Sequence, residues 1–135
     1  MLGSSTESGE REFFPMSLKI DIRETAQAAI LDMSGRLTLG EGLGDFRDSI
    51  REALAGEQKN ILLNLAGVSY IDSSGLGQLI GSYATITSRG GKMKLLNLQK
   101  KVKDLMQITK LITVFESFSN EAAALQSFSS TAAAS

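Results

Sequence analysis

Residues Ile61-Leu62-Leu63-Asn64-Leu65 form a nearly unbroken apolar run, and that run constrains the fold more than any other stretch of the chain. A strand with one face in water alternates apolar and polar residues, so a run apolar at successive positions reads as a central strand covered on both faces. Leu76, Leu79, Ile80 and Tyr83 then recur at helical spacing, Gly90-Gly91 closes the stripe, and Met93, Leu95, Leu96 and Leu98 make another strand. The three pieces read as one βαβ unit, whose crossover is right-handed almost without exception. The segment Tyr70-Ile71-Asp72-Ser73-Ser74-Gly75-Leu76-Gly77 therefore falls at the carboxyl end of a parallel strand, where α/β folds gather their ligand sites.

The remaining pattern supplies the rest of a sheet. Leu18, Ile20 and Ile22 alternate with Lys19, Asp21 and Arg23, and residues 28–33 return beside them after a turn around Glu24 to Gln27, which predicts a hairpin. Gly35-Arg36-Leu37-Thr38 follows, and Leu43, Phe46, Ile50 and Leu54 then recur at helical spacing up to Gly56. Val102, Leu105 and Met106 predict a third helix and Thr113-Val114-Phe115 a short last strand. A final helix spans Glu121 to Phe128, with Ser119 or Asn120 as its cap. The expected fold class is α/β: one domain with a mixed central sheet of about five strands and about four helices mainly on one face. Its limits are 17–128, with a flexible leader over 1–16 and a flexible tail over 129–135. Met16, just after the only proline, is an alternative start.

Composition narrows the chemistry. The chain has 135 residues with neither Cys nor His, which removes thiol chemistry, disulfides, imidazole acid–base catalysis and most transition-metal sites. An enzyme would have to run on carboxylates, Lys, Tyr or Ser alone, so a non-enzymatic protein without cofactor or metal is expected. The net charge of -1 argues against a whole-chain grip on nucleic acid. No apolar run approaches the roughly 20 residues of a membrane span, and no signal-peptide pattern is present, so the protein is expected to be soluble and cytoplasmic.

Charge is unevenly spread. Arg89 to Lys110 holds seven basic residues and one acid, whereas Met1 to Gln58 holds eleven acids and six bases. The basic run reads either as a solvated rim or as a face steering toward an acidic partner. RNA binding fits poorly, because no aromatic is interleaved with the lysines. Leu111, Ile112, Val114, Phe115 and Phe118 read as core packing of the last strand.

The Asp72-Ser73-Ser74 junction admits two readings. Asp and Ser are both preferred helix caps, so Ser73 can cap the helix with Ser74 in its first turn. A helix N-terminus also carries partial positive charge and free N–H groups, so a serine there is well placed to carry a phosphoryl group. Gly75 and Gly77 permit either close approach of another chain or tight helix–sheet packing. No Gly-x-x-x-x-Gly-Lys string accompanies them, so nucleotide binding is disfavoured.

The string Val68 to Gly77, Gly35-Arg36-Leu37 ending the second strand, the helix from Gly42, the Ile61–Leu65 strand and Gly90-Gly91 before residues 92–98 together resemble the STAS domain. They resemble most closely the bacterial anti-sigma factor antagonists, over about Leu18 to Phe128. The resemblance implies a partner-switching protein. Unphosphorylated, it binds an anti-sigma factor, usually a serine kinase of the histidine-kinase-like ATPase fold, and frees the sigma factor; phosphorylated, it lets go. The modified serine of that pattern falls on Ser74, with Ser73 as runner-up, and the preceding carboxylate falls on Asp72, implied to orient or polarise the hydroxyl or to shape the docking surface. The implied partner-binding set is Asp72, Ser73, Ser74, Gly75, Leu76, Gly77 and Thr38. A phosphatase acting on phosphoserine is a further implied partner. Many antagonists carry Asp where this chain has Thr38, which offers a hydrogen bond but no charge. The fold also admits a structural subunit of an ATP-binding-cassette lipid transporter or of a stress-sensing complex, and, more distantly, a nucleotide-binding or hydrolysing enzyme using Asp72 and Ser74.

Overall fold

The computed structural model describes residues 18–134. The expected leader lies outside the described residues. Strands β1 (Leu18–Glu24) and β2 (Ala29–Leu37) form the hairpin, with Ile20 opposite Met33. Its turn is tied by Thr25, whose hydroxyl donates to the Ala28 carbonyl (2.8 Å) and accepts from the Ala28 N–H (3.0 Å). Helix α1 (Glu41–Leu54) leads to β3 (Ile61–Ile71), which runs parallel to β2. Helix α2 (Ser73–Ser88) leads to β4 (Met93–Leu96), parallel to β3 with Ile61 opposite Met93, so the expected βαβ unit is present. Helix α3 (Lys100–Ile108), a 3-10 turn (Leu111–Thr113), β5 (Ser117–Phe118) and α4 (Glu121–Ala134) complete the order. The sheet is mixed and strictly sequential, β1-β2-β3-β4-β5.

Alternation along the buried strands explains the continuous apolar run. Ile61, Leu63 and Leu65 face the larger core with Leu31 and Leu95, under α1, α2 and α3. Leu62 faces the other way, joining Ile30 and Leu96 beneath Ala124 and Phe128 of α4. Three helices thus share one face and α4 alone covers the other. Each fully buried Leu or Phe contributes about 1.5–3 kcal/mol relative to exposure, so the three-helix face holds most of the stability.

Three elements differ from the sequence reading. Strand β3 continues to Ile71 through irregular pairing with β2, where Gly67 lies so close to Ser34 that an added Cβ would sit 2.6 Å from the Ser34 Cβ. The last strand is Ser117–Phe118 rather than Thr113-Val114-Phe115, because residues 111–113 coil into a 3-10 turn that buries Phe115 and leaves Val114 exposed. Helix α4 is described through Ala134 rather than ending at Phe128, and its cap is Asn120, whose side chain accepts from the Ala123 N–H (2.8 Å).

The basic run is not one surface. Lys94 is only 2% exposed, on the α4 face of the sheet. Its Nζ donates to the Ser127 hydroxyl (2.9 Å), pairs with Glu116 (3.0 Å) and lies 4.8 Å from the centre of the Phe128 ring. Its neighbours Lys92 and Lys100, Lys101 and Lys103 are exposed.

Candidate functional site

Strands β2 and β3 end together, with Leu37 opposite Ile71, and the chain turns there into α2. Asp72 is the turning residue. Its backbone is extended (φ -96°, ψ -175°), and its N–H donates to the Leu37 carbonyl (3.2 Å). One carboxylate oxygen accepts from the Gly75 N–H (2.8 Å), the other from the Leu39 N–H (3.1 Å). Asp72 therefore caps α2 and also clamps the β2–α1 loop to it. The reading in which Ser73 caps does not hold: Ser73 is the first helical residue, and Asp72 before it has the extended backbone a cap requires.

The Gly75 N–H first, then those of Leu39 and Ser74, hold the Asp72 carboxyl below the usual carboxylate range against the opposing effect of burial. The site thus carries a fixed negative charge at neutral pH. Gly75 is required by packing, since a Cβ there would overlap the Leu37 carbonyl oxygen and come 2.8 Å from Ile71 Cγ2. Gly77 is different: it is exposed, with nothing within 4 Å of an added Cβ. Tight helix–sheet packing, one of the two sequence readings for the glycines, applies at 75 and not at 77.

Ser73 is exposed and Ser74 half-buried in the first turn of α2, and neither hydroxyl is tied into a hydrogen bond with the rest of the described chain. Thr38 sits between Leu37 and Leu39, both hydrogen-bonded to Asp72, so the structure brings it to the same junction. Leu76 is buried and anchors the helix rather than facing solvent.

Sequence reasoning missed the apolar residues that this junction leaves in water. Leu39 is 75% exposed, and Tyr70, 45% exposed, stacks its ring under the Arg36 guanidinium at 5.1 Å. The usable signal was a leucine within a loop, Thr38-Leu39-Gly40, where polar residues are the rule. Gly40 there has φ 125°, a conformation that favours glycine.

Residues 19–124 match the family described as the STAS domain. The chain belongs to the STAS domain family. An anti-sigma F factor antagonist from Paenibacillus polymyxa is 30% identical over 112 residues, covering 82% of this chain and 94% of that one. An anti-sigma-B factor antagonist from Bacillus subtilis (strain 168) is 26% identical over 104 residues, covering 75% and 91%. Among solved structures, an anti-sigma factor antagonist from Mycobacterium paratuberculosis superposes with a TM-score of 0.72 at 16% identity, over 84% of this chain and 96% of that one. Among the described residues no helix is long and apolar enough to cross a membrane.

Proposed function

We propose that this chain is an anti-sigma factor antagonist controlled by phosphorylation of Ser74, a cytoplasmic binding module rather than an enzyme. Unphosphorylated, it binds an anti-sigma factor that is a serine kinase of the histidine-kinase-like ATPase fold, and the sigma factor is released. A phosphatase acting on phosphoserine resets it. The observation that carries the reading is the first turn of α2: two serine hydroxyls with no hydrogen-bond partner among the described residues, beside exposed Leu39 and Tyr70, in a protein whose curated relatives are anti-sigma factor antagonists.

The physics of the switch follows from charge. A phosphoryl group adds roughly -1.5 to -2 charges, which the N-terminal amides of α2 tolerate in the free protein. Asp72 is already a fixed anion two residues away. An interface that buries the junction would then hold clustered like charge, at a cost of several kcal/mol, about 10²-fold or more in affinity. Because both Asp72 oxygens accept backbone N–H groups, its role is to shape this surface rather than to draw the proton from Ser74. Thr38 contributes no charge to it.

Incubation with the cognate serine kinase and ATP, followed by mass spectrometry, is expected to place the phosphoryl group on Ser74 and to leave Ser74→Ala unmodified. Ser74→Asp is expected to bind the anti-sigma factor about 10²-fold more weakly. Modification of Ser73 instead would move the switch by one residue, whereas unchanged binding by Ser74→Asp would sink the reading.

A further inference from the structure

Between the first turn of α2 and helix α3 lies a cleft of about 410 Å³, within the volume range of sites that seat a ligand or a partner side chain. Its walls are apolar: Ile71 and Leu76 from the switch side, Val102 and Leu105 from α3. All are buried or half-buried, so the cleft is a formed feature of the core's edge and not a gap between mobile surface chains. Tyr70, Ser73 and Lys101 are its exposed rim residues that matter for recognition.

The cleft carries one charge of each sign. Among the described lining residues the carboxylate is Asp72, whose two oxygens are committed to backbone N–H groups and which forms no ion pair with Lys101. Lys100 has a carboxylate partner, Asp104, at 3.1 Å, and Lys94 has Glu116, but Lys101 has no ion pair among the described residues. An apolar cavity rimmed by an unpaired cation and the N-terminal end of α2 complements one kind of group: an apolar side chain with a carboxylate beside it. The cleft shares Ser73 and Asp72 with the proposed switch, and exposed Tyr70 continues the same surface. That continuity favours a protein partner over a free small molecule.

We infer that the α2–α3 cleft seats an apolar side chain of the anti-sigma factor, with a neighbouring carboxylate of that partner paired to Lys101. This rests on the proposed function and extends its docking surface from the serine junction onto α3. The cleft supplies hydrophobic anchoring, and Lys101 supplies the charge match.

The test uses the full chain and the purified cognate anti-sigma factor, with affinity measured by calorimetry at two salt concentrations and amide shifts mapped by NMR. Lys101→Glu is expected to weaken binding about tenfold or more and to reduce its salt dependence, while Lys101→Arg stays within about twofold. Thr109→Trp, which fills the cleft from its exposed end, should weaken binding to a similar extent. Amides of Val102, Leu105 and Thr109 should shift on binding together with those of residues 72–77. Wild-type affinity in Lys101→Glu, with shifts confined to residues 72–77, would overturn the cleft and leave the switch intact. Failure of the unmodified chain to bind the anti-sigma factor at all would overturn both. Should Thr109→Trp fold poorly, Lys101→Glu and the shift map still decide.

Discussion

Asp72 accepts from Gly75 at the start of α2 and from Leu39 in the β2–α1 loop, so a single side chain joins two segments that are far apart in sequence. Removing it should cost stability as loss of a helix cap does: Asp72→Ala is expected to lose about 1–2 kcal/mol in denaturant melts. The linkage has a definite sign. The folded-state pKa lies below the unfolded value of about 3.9, so the Asp72 contribution is present above that value and is lost as pH falls through the folded pKa. Asp72→Asn should therefore lose less stability than the unmodified chain as pH falls below about 4. An identical acid limb in the two proteins would show that the carboxylate is not held by these amides. The identity of the cap was not legible beforehand, because Asp72 and Ser73 are both good caps and only the backbone angle at 72 separates them. At Gly75 tight helix–sheet packing was one of two open readings, and the contact that selects it, with the Leu37 carbonyl at the end of β2, is not written in the local residues.

Helix α4 is the element least attached to the main core. It covers the small cluster of Ile30, Leu62 and Leu96 and is held there by Phe128, by Lys94, and by Glu121, which shares Arg23 with Asp32. Phe128→Ala should remove about 3 kcal/mol of this docking. Hydrogen exchange is expected to speed up in α4 while β2 and β3 stay protected, because the larger core is on the opposite face. Lys94→Met should be close to neutral in melts, since replacing a buried charge by a chain of similar volume avoids its desolvation. A uniform loss of protection across the sheet in Phe128→Ala would contradict this division. The sequence marked α4 as a helix but not which face of the sheet it would cover: residues 121–128 are largely small, and their weak stripe does not choose between faces. Strand β5 was misplaced for a related reason. Thr113-Val114-Phe115 satisfies a strand pattern, yet the residues that pair with β4 are Ser117 and Phe118, after the Glu116 carbonyl has accepted from the Leu95 N–H (2.9 Å).

At the scale of the whole molecule, the hairpin, the βαβ unit and the order of elements were all legible, because period-two and helical spacing are written in local residues such as Leu18–Ile22 and Leu76–Tyr83. What local residues do not carry is adjacency. That Leu39 meets Asp72, that Lys101 faces Ser73 across a cleft, and that Lys94 leaves the basic run for the interior all follow from how the layers stack. The parallel strands send their carboxyl ends to one rim, which is why the β2–α1 loop and the start of α2 meet there. The Asp72 clamp also makes this rim a natural place for an optical reporter. The chain contains no cysteine, so Leu39→Cys provides a unique thiol on a highly exposed residue whose own N–H rests on Asp72. A polarity-sensitive dye attached there should change its emission when Ser74 is phosphorylated and again when the partner docks, with distinct spectra for the two events. An emission spectrum indifferent to both would mean that the loop and the helix start do not share their fate.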